Sequence, residues 1–266
     1  MTRTFSDNAG RAPAQPDLAG RVAIITGSGQ GLGRAFAKAF AAAGAVAVVA
    51  ELNAETGRSV VAEIEAAGGN AVAITTDVAD LGSAEDMAEQ VLEAYGRIDV
   101  LVNNAAIFST LKMRPFEQIP PEEWERVLRV NVTGVFNCSR VVTAAMRKAG
   151  WGRIINMSSG SILLGRPNYL HYSASKGAII GMTRSMAREL GPFGITVNAL
   201  LPGATFTEIE RETVTPVQKE AIIKMQCIPR AEVPDDLVGV VMFLASDESR
   251  FITGQSINAD GGAAYI

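Results

Sequence analysis

The chain has 266 residues, 48% of them hydrophobic and 20% charged, with a formal net charge of −4. That length supports one large α/β domain with a substantial core, and charges interspersed with apolar residues exclude a disordered chain. No basic run is present to displace phosphate counterions, which argues against a nucleic-acid partner; no apolar stretch reaches membrane-spanning length, since the longest, around "FAAAGAVAVVA", contains Gly44 and ends at Glu51.

The opening "MTRTFSDNAGRAPAQPDLAG" lacks the apolar run of a secretory signal. A cytoplasmic location is expected, with residues 1–18 as a flexible tail and residues 19–266 as a single domain. "RVAIITG" is a short, continuously apolar run ending in glycine, as expected of a strand covered on both faces. "GLGRAFAKAFAAAG" follows as an Ala-rich helix closed by Gly44. The cycle then repeats through "AVAVVAE", a helix over "AETGRSVVAEIEAAGG", "NAVAITTD", "AEDMAEQVLEAYG" and "RIDVLVNNA". One longer helical region is expected from Pro121 to Lys148, then the strand "GRIINMSS", a helix around Tyr172 to Leu190, the strand "ITVNALLPG", the helix "PDDLVGVVMFLAS" and a last strand near "GQSINADGG".

Such alternation demands crossover connections between parallel strands. The expected fold is therefore α/β, a three-layer doubly wound sheet of seven mostly parallel strands. The segment 204–229 reads as irregular and as a candidate lid. The two cysteines, Cys138 and Cys227, have no metal-like spacing and read as reduced core thiols. No metal site is expected.

"TGSGQGLG", Thr26 to Gly33, falls between the first strand and the first helix. Glycines there allow a tight turn and bring a pyrophosphate close to the unpaired N–H groups of a helix start. The useful triplet is Gly27, Gly31 and Gly33, with Gly29 as an extra. Glu51 ends the second strand, where a carboxylate accepts hydrogen bonds from an adenosine ribose. No Arg or Lys stands beside it in "AELNAE" to neutralise a 2′-phosphate, so NAD(H) is expected over NADP(H).

These motifs, taken with "DV" at Asp77–Val78, "NNAA" at Asn103–Ala106, Asn131 in "RVNVTG", Ser159 with "YSASK", "PG" at Pro202–Gly203 and the closing "ITGQSINADGG", resemble the short-chain dehydrogenase/reductase family. The resemblance runs from about Gly20 to Gly262 and implies a Rossmann fold and an NAD(P)-dependent oxidoreductase. It implies that Asp77 and Val78 hold the adenine, that Asn104 lies under the cofactor, and that Pro202, Gly203 and Thr207 border the nicotinamide. The full cofactor set adds Gln30, Leu32, Leu52, Ala105, Ala106 and Thr205 to the glycines, Glu51, Tyr172 and Lys176. Two positions depart from the family's usual pattern: Ala106 replaces a glycine, and Glu51 stands where aspartate is common.

The candidate catalytic residues are Asn131, Ser159, Tyr172 and Lys176. Tyr169 competes with Tyr172, but residues four apart share a helix face, so Tyr172 has Lys176 beside it where Tyr169 has Ser173. The Ser159–Tyr172 interval also matches the family's. A phenol titrates near pH 10, and a neighbouring ammonium brings it towards working pH. Ser159 would polarise the substrate oxygen, and the resemblance gives Asn131 a proton-relay water. His171 lies one helical step from the Tyr172 face and reads as structural or substrate-adjacent.

Ile107, Phe108, Ser161, Leu163, Leu164, Tyr169 and Phe206 form the expected substrate wall, Tyr169 being alternatively a packing residue. That lining shows no Arg or Lys anchor, so a neutral, fairly hydrophobic secondary alcohol or ketone is expected. A 3-oxoacyl thioester reductase is the alternative. A non-catalytic NAD-binding regulator of the same fold and a sugar-nucleotide epimerase fit less well, the first because the catalytic set is intact, the second because the chain lacks its larger substrate domain. Assembly as a homotetramer through the helices of Asn131 and Tyr172 and through the last strand is expected from the resemblance.

Overall fold

The computed structural model describes residues 18–209 and 216–265. Its sheet contains β1 (Val22–Thr26), β2 (Val46–Glu51), β3 (Asn70–Thr75), β4 (Val100–Asn103), β5 (Gly152–Met157), β6 (Ile195–Pro202) and β7 (Ser256–Ala259). Their spatial order is β3-β2-β1-β4-β5-β6-β7, and every pairing is parallel. β1 and β6 are buried at every position, as strands must be when helices cover both faces.

The helices are α1 (Gly31–Ala42), α2 (Ala54–Ala66), α3 (Leu81–Tyr95), α4 (Pro121–Leu128), α5 (Gly134–Ala149), the single-turn α6 (Ser161–Leu164), α7 (Leu170–Leu190), α8 (Pro216–Met225) and α9 (Asp235–Ala245). Local chemistry sets several of their ends. The side chain of Asn53 accepts from Glu55 N and Thr56 N to start α2, and Asp80 does the same for Gly82 N and Ser83 N at α3. Gly96 closes α3 in the left-handed region, at φ 70°.

Two cores flank the sheet. Phe36 and Phe40 of α1, Val60 and Ile64 of α2, and Leu237 and Val241 of α9 fill one side. Met87 and Val91 of α3, Cys138, Val142 and Met146 of α5, and Leu190 of α7 fill the other. A buried polar line crosses the second layer: Asn103 Nδ2 donates to Ser139 Oγ and Asn156 Oδ1, and Asn156 Nδ2 donates to Thr183 Oγ1. It fixes β4 and β5 against α5 and α7, because each donor would be costly if left unpaired.

Four expectations need correction. Leu18, assigned to the tail, is buried in the core at 2% exposure; the rest of the tail lies outside the described residues. The expected helix 121–148 is broken by a wide turn at Arg129–Thr133, where Gly134 N donates to Arg129 O. The segment 204–229 contains α8, and Thr205 pairs with Glu232 in a parallel bridge; residues 210–215 of it lie outside the described residues. Cys138 is a core thiol, pushed up to about 12 by burial, but Cys227 is exposed, with its Sγ 3.1 Å from Tyr265 Oη. No helix among the described residues is long and apolar enough to cross a membrane.

Candidate active site

The strand order reverses between β1 and β4, and a doubly wound sheet opens a crevice there at its carboxyl edge. The turn Gly27–Gln30 leads from β1 into α1 at this point. A side chain on Gly27 would collide with Ala105 Cα, and one on Gly33 with Gly27 O and Asn104 Nδ2. Asn104 explains the closeness: its Nδ2 donates to Thr26 O at 2.9 Å and to Gly27 O at 3.0 Å, while its own N–H reaches Thr26 Oγ1. The β4 exit thus clamps the glycine turn. Gly29 is not the spare its spacing suggests, because a Cβ there would overlap Thr56 and Glu51.

Glu51 spans the next gap. Its Oε2 accepts from Gly29 N and its Oε1 from Asn53 N. Leu52 beside it is 65% exposed. Asp77 Oδ1 accepts from Ala79 N, and Val78 O accepts from Asn137 Nδ2.

Beyond β4, Asn131 sits in the wide turn with no exposed surface. Its Oδ1 accepts from Ile107 N at 2.7 Å, and its Nδ2 donates to Ile107 O and Ser175 Oγ. Ser175 Oγ in turn donates to Tyr172 O. The amide is therefore committed to holding the 104–108 stretch against α7.

Tyr172 and Lys176 share one face of α7, as their spacing requires. Lys176 Nζ lies 5.7 Å from the Tyr172 ring centroid and donates to Met157 O at 2.8 Å. Burial lowers the Lys176 ammonium to about 8. Ser158 Oγ donates to Lys176 O, and Ser159 Oγ accepts from Ser161 N. Phe108 packs on Tyr172 with ring centroids 4.4 Å apart.

One cavity of about 750 Å³ is lined by Gly27, Gln30, Leu32, Glu51, Leu52, Asp77, Val78, Asn104, Ala105 and Ala106. Ser159, Tyr172, Lys176, Pro202, Gly203, Thr205 and Thr207 line it too, with Ile107, Phe108, Ser161 and Leu164, while Asn131 stands behind it. Gly29, Gly31 and Gly33 shape the turn without lining the cavity. The cavity is large enough for a dinucleotide together with a small substrate. The glycine cradle, which any side chain would fill, fits the phosphate-bearing part of such a molecule. Among the described residues, no group of three or more His, Cys, Asp or Glu side chains is placed to hold a metal ion.

Three expected wall residues do not line the cavity. Tyr169 is 2% exposed and packs behind Phe108 with Leu111 and Val127, so it is a packing residue. Leu163 faces outward on α6, and the Phe206 ring lies under Lys219 Nζ at 4.6 Å. His171 is fully buried with Nε2 3.3 Å from Glu123 Oε1, away from the cavity. The expectation of a wall without a cation is also corrected: Arg166 lines the cavity.

A family model described as enoyl-(acyl carrier protein) reductase matches residues 27–264. The chain belongs to the short-chain dehydrogenase/reductase family. A 3-oxoacyl-(acyl-carrier-protein) reductase of Synechocystis sp. is 39% identical, over 92% of this chain and 97% of its own length. One of that name from Thermotoga maritima is 37% identical, over 92% and 98%. A structure described as a candidate NAD(P)-dependent gluconate 5-dehydrogenase from Beutenbergia cavernae, holding NADP at low occupancy, superposes with a TM-score of 0.86 at 38% identity, covering 93% of this chain and 98% of that one. As a short-chain dehydrogenase/reductase the chain is an oxidoreductase, and its fold is one that binds a nicotinamide dinucleotide.

Sequence reasoning missed one whole wall of this oxidoreductase cavity. Gln218, Ala221, Ile222 and Met225 line it from α8. Their spacing puts them on one helical face, a signal present in "QKEAIIKM" but hidden by treating the segment as irregular. Thr76, Gln226 and Asp260 were also missed because they enter through loops with no pattern of their own, and Val130 because the wide turn at Arg129–Thr133 carries no local signal.

Proposed function

We propose that the chain transfers a hydride between NAD(H) and a secondary alcohol or its ketone, with Tyr172 as proton acceptor and donor. The observation that carries this reading is the convergence of Ser159, Tyr172 and Lys176 on the cavity that also contains the glycine turn. A nicotinamide bound there supplies the hydride acceptor or donor.

The residues divide the remaining work. Gly27, Gly29, Gly31 and Gly33 leave room for the pyrophosphate at the start of α1. Asp77 and Val78 border the adenine, and Pro202, Gly203, Thr205 and Thr207 border the nicotinamide end. Ser159 Oγ donates to the substrate oxygen. In oxidation the alcohol O–H proton passes to Tyr172 as the C–H hydride leaves; in reduction Tyr172 returns it. Lys176, protonated below about pH 8, lowers the cost of the phenolate. Asn131 holds Ile107 and Ser175 in register, and the family resemblance gives it the water that relays the proton to Lys176.

NAD(H) is preferred because Glu51, at the ribose end, is a carboxylate and, among the described residues, no cation lines the cavity beside it. A second reading, reduction of a 3-oxoacyl thioester, is supported by the names of the Synechocystis and Thermotoga relatives. Self-association as a homotetramer through α5 and α7 belongs to the same reading and rests on the family resemblance; a solution mass near that of the 28.0 kDa chain overturns it.

The test is Tyr172→Phe. It should lower hydride transfer by at least about a hundredfold while dinucleotide binding, read by fluorescence titration, persists. Undiminished turnover in that variant overturns the mechanism and leaves a binding protein. Assays of NAD⁺ and NADP⁺ with secondary alcohols, and of NADH and NADPH with a 3-oxoacyl thioester, separate the two substrate readings.

A further inference from the structure

We propose that Arg166 determines substrate specificity and that the substrate carries one carboxylate, bound by this guanidinium. The inference rests on the redox reading above and adds the chemical class of substrate to it.

Arg166 follows Gly165, which ends α6 at φ 59°, and precedes Asn168, a non-glycine residue at φ 65°. Asn168 O accepts from Arg114 N, and the next residue, Tyr169, is anchored in the core. The arginine therefore projects from a turn pinned at both ends. Its Cζ lies 4.9 Å from the Tyr169 ring centroid; Tyr169 stacks on Phe108 at 5.7 Å, and Phe108 on Tyr172 at 4.4 Å. A continuous run of ring contacts connects the guanidinium to the reacting phenol. Stacking on a ring face leaves the in-plane N–H donors of the fork available.

Among the described residues those donors meet no protein acceptor. The Arg166 guanidinium makes neither an ion pair nor a hydrogen bond among them, its backbone N–H alone donating to Ser161 O; the side chain's one contact of this kind is the Tyr169 ring. Arg34, Arg97, Arg153 and Arg230 each meet a carboxylate. The acidic groups that line the cavity are engaged elsewhere: Glu51 on Gly29 N and Asn53 N, Asp77 on Ala79 N, and Asp260 on the N–H groups of Gly262, Ala263 and Ala264.

The charge count selects the ligand. Arg166 and Lys176 are the cationic side chains lining the cavity among the described residues, and Lys176 serves Tyr172 and Met157 O. The one available cation among the described residues matches a monoanion, and a planar fork matches a carboxylate through two parallel hydrogen bonds. A phosphate monoester would bring a second charge without a partner. Ile107, Phe108, Leu164, Pro167 and Ile222 supply apolar wall, which suits a hydrocarbon chain between the carboxylate and the reacting carbon. The substrate class is a hydroxy acid or its oxo acid. The hydride leaves the carbinol carbon for the nicotinamide, the hydroxyl proton goes to Tyr172, and the carboxylate is unchanged.

The experiment compares a chain-length series of oxo acids with their primary carboxamides, in the wild type and in Arg166→Met. It reads kcat and KM with NADH, and separately the binding of each compound to the enzyme–NADH complex through the cofactor's fluorescence. The wild type should favour its best acid over the matching amide by on the order of tenfold to a hundredfold, mostly in KM and in the binding constant. R166M should erase that preference, Arg166→Lys should keep part of it, and NADH affinity should hold in both. Equal handling of acid and amide by the wild type, or a preference that survives R166M, overturns the inference. So does a phosphonate that binds more tightly than the carboxylate of the same length. Absence of hydride transfer to every ketone would sink the redox reading, while the binding comparison would still judge Arg166.

Discussion

The carboxylate of Glu208 accepts a hydrogen bond from the backbone N–H of Gly31 at 2.9 Å, joining the 204–209 segment to the first residue of α1. Arg34 lies 3.8 Å from the same oxygen, and Ile209 covers Gly31 from above. A helix start offers N–H donors and a positive dipole end to an anion. Glu208 takes one of the donors that the proposed pyrophosphate site requires, and it adds a like charge.

Glu208→Ala should therefore tighten both NAD⁺ and NADH, by about tenfold if one charge-assisted hydrogen bond is at stake. Glu208→Gln, which keeps an acceptor but not the charge, should fall between. Equilibrium fluorescence titration decides it: unchanged or weaker binding in the alanine variant would mean that the contact does not compete with the dinucleotide.

In the proposed mechanism Lys176 gives the reaction its pH dependence. Burial lowers its ammonium to about 8, so it is charged below that pH and neutral above it. Reduction of a ketone needs a protonated Tyr172 with the ammonium beside it. Single-turnover reduction at saturating ketone should thus be fastest below pH 8 and fall as pH rises through that value. Burying the charge also weakens the fold. The unfolded chain keeps its lysine protonated to about pH 10.4, so stability should rise with pH between roughly 8 and 10. Lys176→Met removes that cost. Its Tm should exceed the wild type's by several degrees at pH 7, with the gap closing above pH 10, while reduction is lost. A flat rate profile to pH 10 would show that the ammonium is not needed.

Glu232 holds the cofactor-side loop. Its Oε1 accepts from Thr205 Oγ1 at 2.5 Å, and its backbone O accepts from Phe206 N. Burial, more than any other cause, raises its carboxyl above the usual range, and Asp236 and Asp260 nearby push the same way. A raised acid stabilises the fold while protonated, and that contribution is lost as pH rises through its folded value. Glu232→Gln should match the wild type in Tm near pH 4 and become relatively more stable towards pH 8. Glu232→Ala should instead weaken dinucleotide binding, because Thr205 loses its acceptor. A glutamine variant less stable than wild type at pH 8 would mean that the carboxylate is wanted in its charged form.

Much of this was legible in sequence, and the reasons are physical. Continuous apolar strands and Ala-rich helices closed by glycine declare a parallel sheet because both signals are local. Tyr172 over Tyr169 followed from the period of a helix. The failures lie where side chains act over distance. Nothing in "RVNVTG" reveals that the Asn131 amide grips Ile107 N and O, because that contact needs the β4 exit to fold back. Arg166 was passed over because its neighbours in sequence are loop residues; only the turn between Gly165 and Asn168 brings it to the cavity. Leu18, called tail from its composition, is core because its N–H bonds Ala43 O and its side chain meets α1.

Two glycines of opposite surroundings test how far the turn depends on space. Gly33 lies inside α1, where an added Cβ would meet Gly27 O, Asn104 Nδ2 and Ser28 Cα; Gly177, inside α7, has nothing within 4 Å of the same position. Gly33→Ala must push the glycine turn off Asn104, which should cost about 1–3 kcal/mol and weaken dinucleotide binding more than it lowers Tm would suggest. Gly177→Ala gains the helix preference of alanine, roughly 0.5–1 kcal/mol, and should leave dinucleotide binding alone. Thermal unfolding and cofactor titration on the two variants give four numbers. Equal behaviour at both positions would show that the close approach of β4 to the turn is not what the short-chain dehydrogenase/reductase turn needs its glycine for.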